Sequence, residues 1–160
     1  MWLLACALGL LAGASQPDDI PGPDRSDPMA FVAGEYRLYR AGTRPRTEFH
    51  SYASRRLRAL SDGLDAAMGG EELGDNLDVW VDDHDQWSLS ALSLALEPVR
   101  AAGRRTITVR FLNEGRPVRL RFHFVHEDGG WYLDDIVKPG RGGWTLARRL
   151  SIRPRPHRRP

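Results

Sequence analysis

RTITVRFLNEGRPVRLRFHFVHEDGGWYLDDIV, residues 105–137, decides the fold. Ile107, Val109 and Phe111 alternate with polar neighbours, as do Val118, Leu120, Phe122 and Phe124 further on. That period of two is the signature of strands with one buried face. Arg119, Arg121 and His123 then lie on the opposite, outward face. Glu114-Gly115 and Asp128-Gly129-Gly130 interrupt the alternation at hairpin spacing. The stretch therefore predicts three antiparallel strands, Arg105–Asn113, Arg116–His126 and Trp131–Val137. Upstream, Trp87–Pro98 alternates in the same way, and Ala102-Gly103 joins it to the next strand, making a four-stranded meander.

Before residue 87 the period is helical. Asp27-Pro28 combines an N-cap acid with proline at the first helical position, and Phe31, Val32, Tyr36 and Tyr39 follow at helical spacing, which predicts a helix ending near Arg40 before Ala41-Gly42. A second helix is expected over about Thr47 to Leu60, with Phe49, Tyr52, Ala53, Leu57 and Leu60 as its stripe. A short third is expected from Asp62 to Met68, stopped by Gly69-Gly70. Residues 71–86 are acidic and irregular. Trp144–Leu150 reads as a short terminal helix. Helices followed by strands predict an α+β domain, two or three N-terminal helices packed on one side of the sheet.

The ends of the chain carry other signals. The apolar run WLLACALGLLAGA at 2–14 is too short to span a bilayer as a helix but fits a signal peptide, with Ala12-Gly13-Ala14 as the small-residue cleavage site. The expected organisation is a signal peptide at 1–15, a linker at 16–27, one domain at 28–150 and a disordered basic tail at 151–160. Leu3-Leu4-Ala5-Cys6 resembles a lipobox, so a lipoprotein anchored through Cys6 is an alternative to a plain periplasmic or secreted protein. Against it, only five residues precede Cys6 and the apolar run continues past it. Cleavage after residue 14 or 15 leaves a mature chain with no cysteine, hence no disulfide and no thiol chemistry.

The formal charge of +2 hides two opposed regions. Residues 148–160 hold six of the 23 basic residues and no acid, so the remainder carries 17 against 21 acids, a formal −4. From Ala59 to Val99 there are ten acids and no Lys or Arg. The simplest account is that the halves of the fold neutralise one another. The arginine tail suits weak contact with a membrane surface or acidic polymer. Export argues against nucleic acid.

Two segments carry a family resemblance: Asp85-Gln86-Trp87 entering the meander, and Gly130-Trp131-Tyr132-Leu133-Asp134-Asp135-Ile136 in its last strand. With helices ahead of them, over residues 28–150, the chain resembles the bacterial envelope family called domain of unknown function 3828. That family is similar to the nuclear-transport-factor-two-like, cystatin-like superfold, a cone formed by a curved sheet wrapped against helices. The resemblance implies that fold and an envelope location. It implies no activity, because the superfold hosts enzymes, binders and scaffolds. The segment Asp78–Asp85, with Trp80 and His84, is more acidic than the family pattern suggests.

Several side chains are candidates for a site. Asp82-Asp83-His84-Asp85 could help hold a divalent cation, given further ligands such as His50, His123 or Asp134. It could also supply an Asp–His base pair. The alternative is a solvated loop whose Asp85 caps local amides. Of Asp134 and Asp135, alternation sends one into the cone, where burial would raise its pKa and make it a base, or else pairs it with Arg110, Arg119 or Arg121. The catalytic candidates are thus Asp85 or Asp134 as base, with His84 or His123 as partner. Trp87, Trp131 and Arg121 are the ligand-binding candidates. Trp80, Tyr36, Tyr39 and Tyr52 could line a pocket or simply fill the core. Arg119, Arg121 and His123 make a basic outward face for an anion, a partner or a homodimer. No P-loop, GxSxG, HExxH, CxxC or dinucleotide fingerprint is present, and no cofactor is implied.

The leading expectation is an exported, non-enzymatic protein that binds an envelope protein or small ligand. One specific form is an immunity protein for a secreted toxin. The alternatives are a cone-fold enzyme using an Asp/His pair on a small substrate, and a metal-stabilised envelope protein.

Overall fold

The computed structural model describes residues 24–68, 78–83 and 86–151. The signal segment with Cys6, most of the linker, residues 69–77, the tail 152–160, and two site candidates, His84 and Asp85, lie outside the described residues.

Helix α1 spans Pro28–Arg40, and the Asp27 carboxylate accepts from the Met29 N–H at 2.8 Å, as the Asp-Pro pair predicts. The second expected helix does not form in one piece. It divides into α2, Phe49–Tyr52, and α3, Arg55–Met68. Between them Ala53 is extended and bridges Leu133 in parallel, and the Ser54 N–H donates to the Leu133 carbonyl at 2.7 Å. The Ser54 hydroxyl accepts from the Leu57 N–H at 3.1 Å, starting α3 anew. Helix α3 then runs through Ser61 without a stop, so the expected third helix is its continuation.

Strands β1 (Leu89–Leu96), β2 (Arg104–Asn113), β3 (Arg116–Glu127) and β4 (Gly130–Lys138) form the predicted meander. Among the described residues the sheet has five strands rather than four. Trp144–Thr145, expected to be helical, makes a short β5 on the edge of β4, and only Leu146–Leu150 is helical, as α4, capped by the Thr145 hydroxyl. All strands are antiparallel neighbours in the order β1-β2-β3-β4-β5, an open sheet. Glu114-Gly115 and Asp128-Gly129 both have two consecutive positive φ values (50 and 78, 47 and 79), the two-residue hairpin turn that matches strand twist.

Two irregularities shape the sheet. β1 shifts register between Ser90 and Ser93, where Ala91 takes φ 49. β4 shifts opposite His123/Phe124, which makes Asp134 the extra residue. Leu133 and Ile136 are therefore both fully buried with two acids between them, so neither Asp134 nor Asp135 points into the core. Such bulges bend a strand and increase its twist.

The core lies between the inner sheet face and the helices. Ile107, Val109, Phe111, Leu120, Phe122 and Phe124 meet Val32, Tyr36 and Leu57. The acidic loop contributes too. Trp80 and Val81 are buried, Trp80 lies 4.8 Å from Phe122 ring to ring, and the Tyr36 hydroxyl donates to the Trp80 carbonyl at 2.6 Å. Asp78 anchors the loop by accepting from Tyr39 and from the Trp80 N–H. Burial and the adjacent Asp78 charge push the Tyr39 phenol well above its ordinary pKa.

Candidate functional site

Alternation places Thr106 and Thr108 of β2 on the same outward face as Arg121 and His123 of β3, with Thr108 opposite Arg121 and Thr106 opposite His123. The chain leaving β1 turns over this corner and brings Glu97 onto it. Arg121 donates from Nε and Nη2 to the two Glu97 oxygens at 2.9 and 2.6 Å, a two-point charge-assisted pair. The Thr108 hydroxyl adds a third bond to Glu97 at 2.7 Å. Arg121 and Thr108 together hold the Glu97 carboxyl down to about pKa 2.

Beside this pair the Thr106 hydroxyl and His123 Nδ1 are 3.0 Å apart. Burial lowers the His123 pKa, Arg121 lowers it further, and Asp135, Glu97 and Asp134 oppose the shift without cancelling it. The imidazole is therefore neutral at pH 7. Around these groups lies a cleft of about 210 Å³, lined by the 97–101 connection and by Arg104, Arg105, Thr106, Arg121, His123 and Phe124. Its rim carries Arg100, Arg104 and Arg105, and the one acid in its lining, Glu97, is already matched by Arg121. Arg105 lies over the Trp131 ring at 4.9 Å, and His126 meets the edge of that ring.

The remaining candidates fall elsewhere. Asp134 sits at the β4 edge, accepting from Ser54 Oγ at 2.8 Å and Arg56 Nε at 3.0 Å, with Arg104 at 3.4 Å. Burial pushes its carboxyl up, but the bonds from Arg56 and Ser54 and the charges of Arg56 and Arg104 outweigh that and leave it below the usual value. The expected raised pKa is thus reversed, because the acid meets arginines instead of an apolar cavity. Its partners are Arg56 and Arg104, not Arg110, Arg119 or Arg121. Asp135 accepts from the Ala147 N–H at 2.9 Å, near the start of α4. Trp87 packs on α1, donating from Nε1 to the Tyr39 carbonyl, with Arg44 over its ring. Asp82 is held by Lys138 and Trp144 Nε1. Asp83 accepts from Asn113, and His50 pairs with Asp62 at 3.2 Å. Among the described residues no three His, Cys, Asp or Glu side chains converge on one point that would suit a metal.

Arg121 and His123 are thus brought together as the sequence suggests, with Trp131 one residue away through Arg105. Glu97, Thr106, Thr108, Arg100 and Arg104 were not singled out by the sequence. The threonines share outward parity with Arg110, and that signal could have found them. Glu97 gives only a weak signal, as the first charge after a neutral strand.

No protein-family model matches this chain, and no curated protein matches it. Among solved structures it is similar to a phospholipid-binding protein from Ralstonia solanacearum, determined in complex with a phospholipid, at 19% identity and a TM-score of 0.32 over 79% of this chain. This chain spans 60% of that protein's length.

Proposed function

We propose that the protein is an exported binding protein that takes a small anionic ligand, or an acidic group of an envelope partner, in the cleft at the β1–β2 corner. The observation that carries this reading is the charge of the cleft. Arg100, Arg104 and Arg105 line it, Arg104 also reaching Asp134 and Arg105 lying over Trp131, while its one acid is neutralised from within by Arg121. The ligand it suits carries a carboxylate or phosphate, which a guanidinium binds at two points. Arg121 then has a preparatory role. Held by Glu97, it fixes the floor of the site and leaves the ligand to Arg100, Arg104 and Arg105.

The enzyme alternative has less support. A base must have a free lone pair and a pKa near the working pH. Asp134 has its pKa lowered, away from that range, by Arg56 and Ser54, and His123 is bonded to Thr106 rather than to an acid. Aromatic rings meet across the interior, Trp80 against Phe122, Phe31 and Tyr36, where a cone-fold enzyme would bind its substrate.

The envelope location and the family resemblance belong to the same reading. The register shifts at Ala91 and Asp134 fit a sheet curled like a cone, since bulges bend a strand and increase its twist. A mature N-terminus beginning at residue 15 or 16 after expression in a bacterium would support export, and an unprocessed cytoplasmic chain would remove it.

The binding reading is tested by thermal unfolding at low salt with citrate and with inorganic phosphate as probes. Tm should rise with probe concentration, fall back as salt screens the arginines, and cease to respond in Arg100→Glu and Arg105→Glu. No response to either probe in the unaltered protein would sink it.

A further inference from the structure

We infer that Arg110 and Arg119 form a second anion subsite on the outer sheet face, and that the ligand joining it to the cleft is a linear acidic saccharide. The inference rests on the binding reading above and extends it. Arg110 of β2 and Arg119 of β3 are directly opposite each other in the register, and both are exposed. Alternation puts them on the face that carries Thr106, Thr108, Arg121 and His123. Like charges directly opposite one another destabilise a sheet. The other arginines of this face are relieved, Arg121 by Glu97 and Arg104 by Asp134. Among the described residues the side chains of Arg110 and Arg119 have no hydrogen bond or ion pair. β2 holds no acid and β3 none before Glu127, and the acidic loop packs on the other face, with Trp80 against Phe122. Two guanidinium forks side by side, with no acid between them, suit an oxyanion held from both sides. Ser93, opposite Arg110 on β1 and exposed, adds a hydroxyl at the margin.

The place of the subsite selects the ligand. Arg110 and Arg119 lie four residues along their strands from Thr106 and His123 in the cleft, about 13 Å at the rise of a strand. Thr108, Arg121 and Glu97 fill the row between, their charges already matched. One small anion is too short to reach both places, whereas an extended chain with acid groups at intervals spans them. That chain lies over a sheet face, whose backbone groups are already bonded within the sheet. A peptide strand gains its main-chain bonds at a sheet edge instead. The outward positions of β2 and β3, from Arg104 to Leu112 and from Pro117 to Val125, hold no Phe, Tyr or Trp, so a nucleic-acid strand finds no ring for its bases to stack on. Carboxylates for the arginines and hydroxyls for Ser93 are what a chain of acidic sugars presents.

The test is calorimetric titration of the full-length protein at low salt with galacturonate and with oligogalacturonates of increasing length. Affinity should step up about 100-fold once the oligomer spans both subsites, and then level off. Arg110→Ser and Arg119→Ser, at exposed positions and with unchanged circular dichroism, should remove the step while the Tm response to citrate and phosphate in the cleft persists. Arg105→Glu should weaken every probe. Affinity that does not rise with length, or a step that survives both serine substitutions, overturns the proposal and leaves the cleft with its small anion. Polyglutamate of matched length binding as tightly as the saccharide overturns it as well. Loss of the citrate and phosphate response in the unaltered protein is the separate failure, that of the binding reading itself.

Discussion

At the residue scale, the titration of two side chains in the cleft gives the protein a pH signature. Glu97 has a lowered pKa, so its contribution is complete above the unfolded value of 4.5 and is lost as pH falls toward about 2. His123 also has a lowered pKa, but as a base. The unfolded chain takes up a proton near 6.5 that the folded chain resists, so stability falls as pH drops below 6.5. We expect urea midpoints to decline in two stages, the first beginning near pH 6.5 and the second below 4.5. His123→Gln should remove the first stage while leaving the second. Equal slopes in the variant and the unaltered protein between pH 6.5 and 5 would place the titrating group elsewhere. Ala91 gives a different prediction. A non-glycine residue in the left-handed region costs about 1 kcal/mol, so Ala91→Gly should leave stability unchanged or raise it by up to about that amount, read from the same urea midpoints.

At the element scale, Ser54 does more than its place in the chain suggests. It starts α3, ties the helix pair to the edge of β4 through its N–H, and donates to Asp134. Removing a cap costs about 1 kcal/mol, and leaving a half-buried carboxylate short of one donor costs about 1–3 kcal/mol more. Ser54→Ala should therefore destabilise by about 2–4 kcal/mol by chemical denaturation, and a loss under 1 kcal/mol would mean that α3 does not depend on this junction. Gly143 makes a similar point for β5. A Cβ there would lie 2.3 Å from the Lys138 carbonyl oxygen, so Gly143→Ala must move the backbone that carries Trp144. The signal should be faster hydrogen exchange confined to 144–150. The sequence foretold the strands well, because Ile107 to Phe111 and Val118 to Phe124 place an apolar residue at every second position and two Gly turns mark the hairpins. It foretold the helix break poorly. Phe49, Tyr52, Leu57 and Leu60 keep helical spacing across the break, and what interrupts the helix is a tertiary bridge from Ala53 to Leu133 that no local pattern encodes. The bulge at Asp134 was hidden for the same reason, so the two acids were assigned to opposite faces when neither faces the core.

At the scale of the whole molecule, the acidic loop and the sheet are one structure. The loop's charge drew attention to its acids as ligands, yet its buried residues are Trp80 and Val81, and Asp78 holds the turn that inserts them. This part of the site reading failed in the sequence because Trp80 sits in an acidic, irregular stretch with no period to mark it as core. Trp80 touches the rings of Phe31 and Tyr52 near the helices and of Phe122 on the sheet, so it connects the two layers from the loop. Trp80→Ala should cost about 3–5 kcal/mol, a large share of the 5–15 kcal/mol typical of a domain. Trp80→Phe should recover part of that loss, since a smaller ring still fills some of the space. The Glu97–Arg121 pair lies on the opposite face of the sheet and should keep its acid transition in both variants. If Trp80→Ala leaves the urea midpoint near that of the unaltered protein, the loop is a surface feature and its acids become candidates again. If the variant unfolds early with its acid transition preserved, the loop belongs to the core, and the search for a ligand belongs on the outer face.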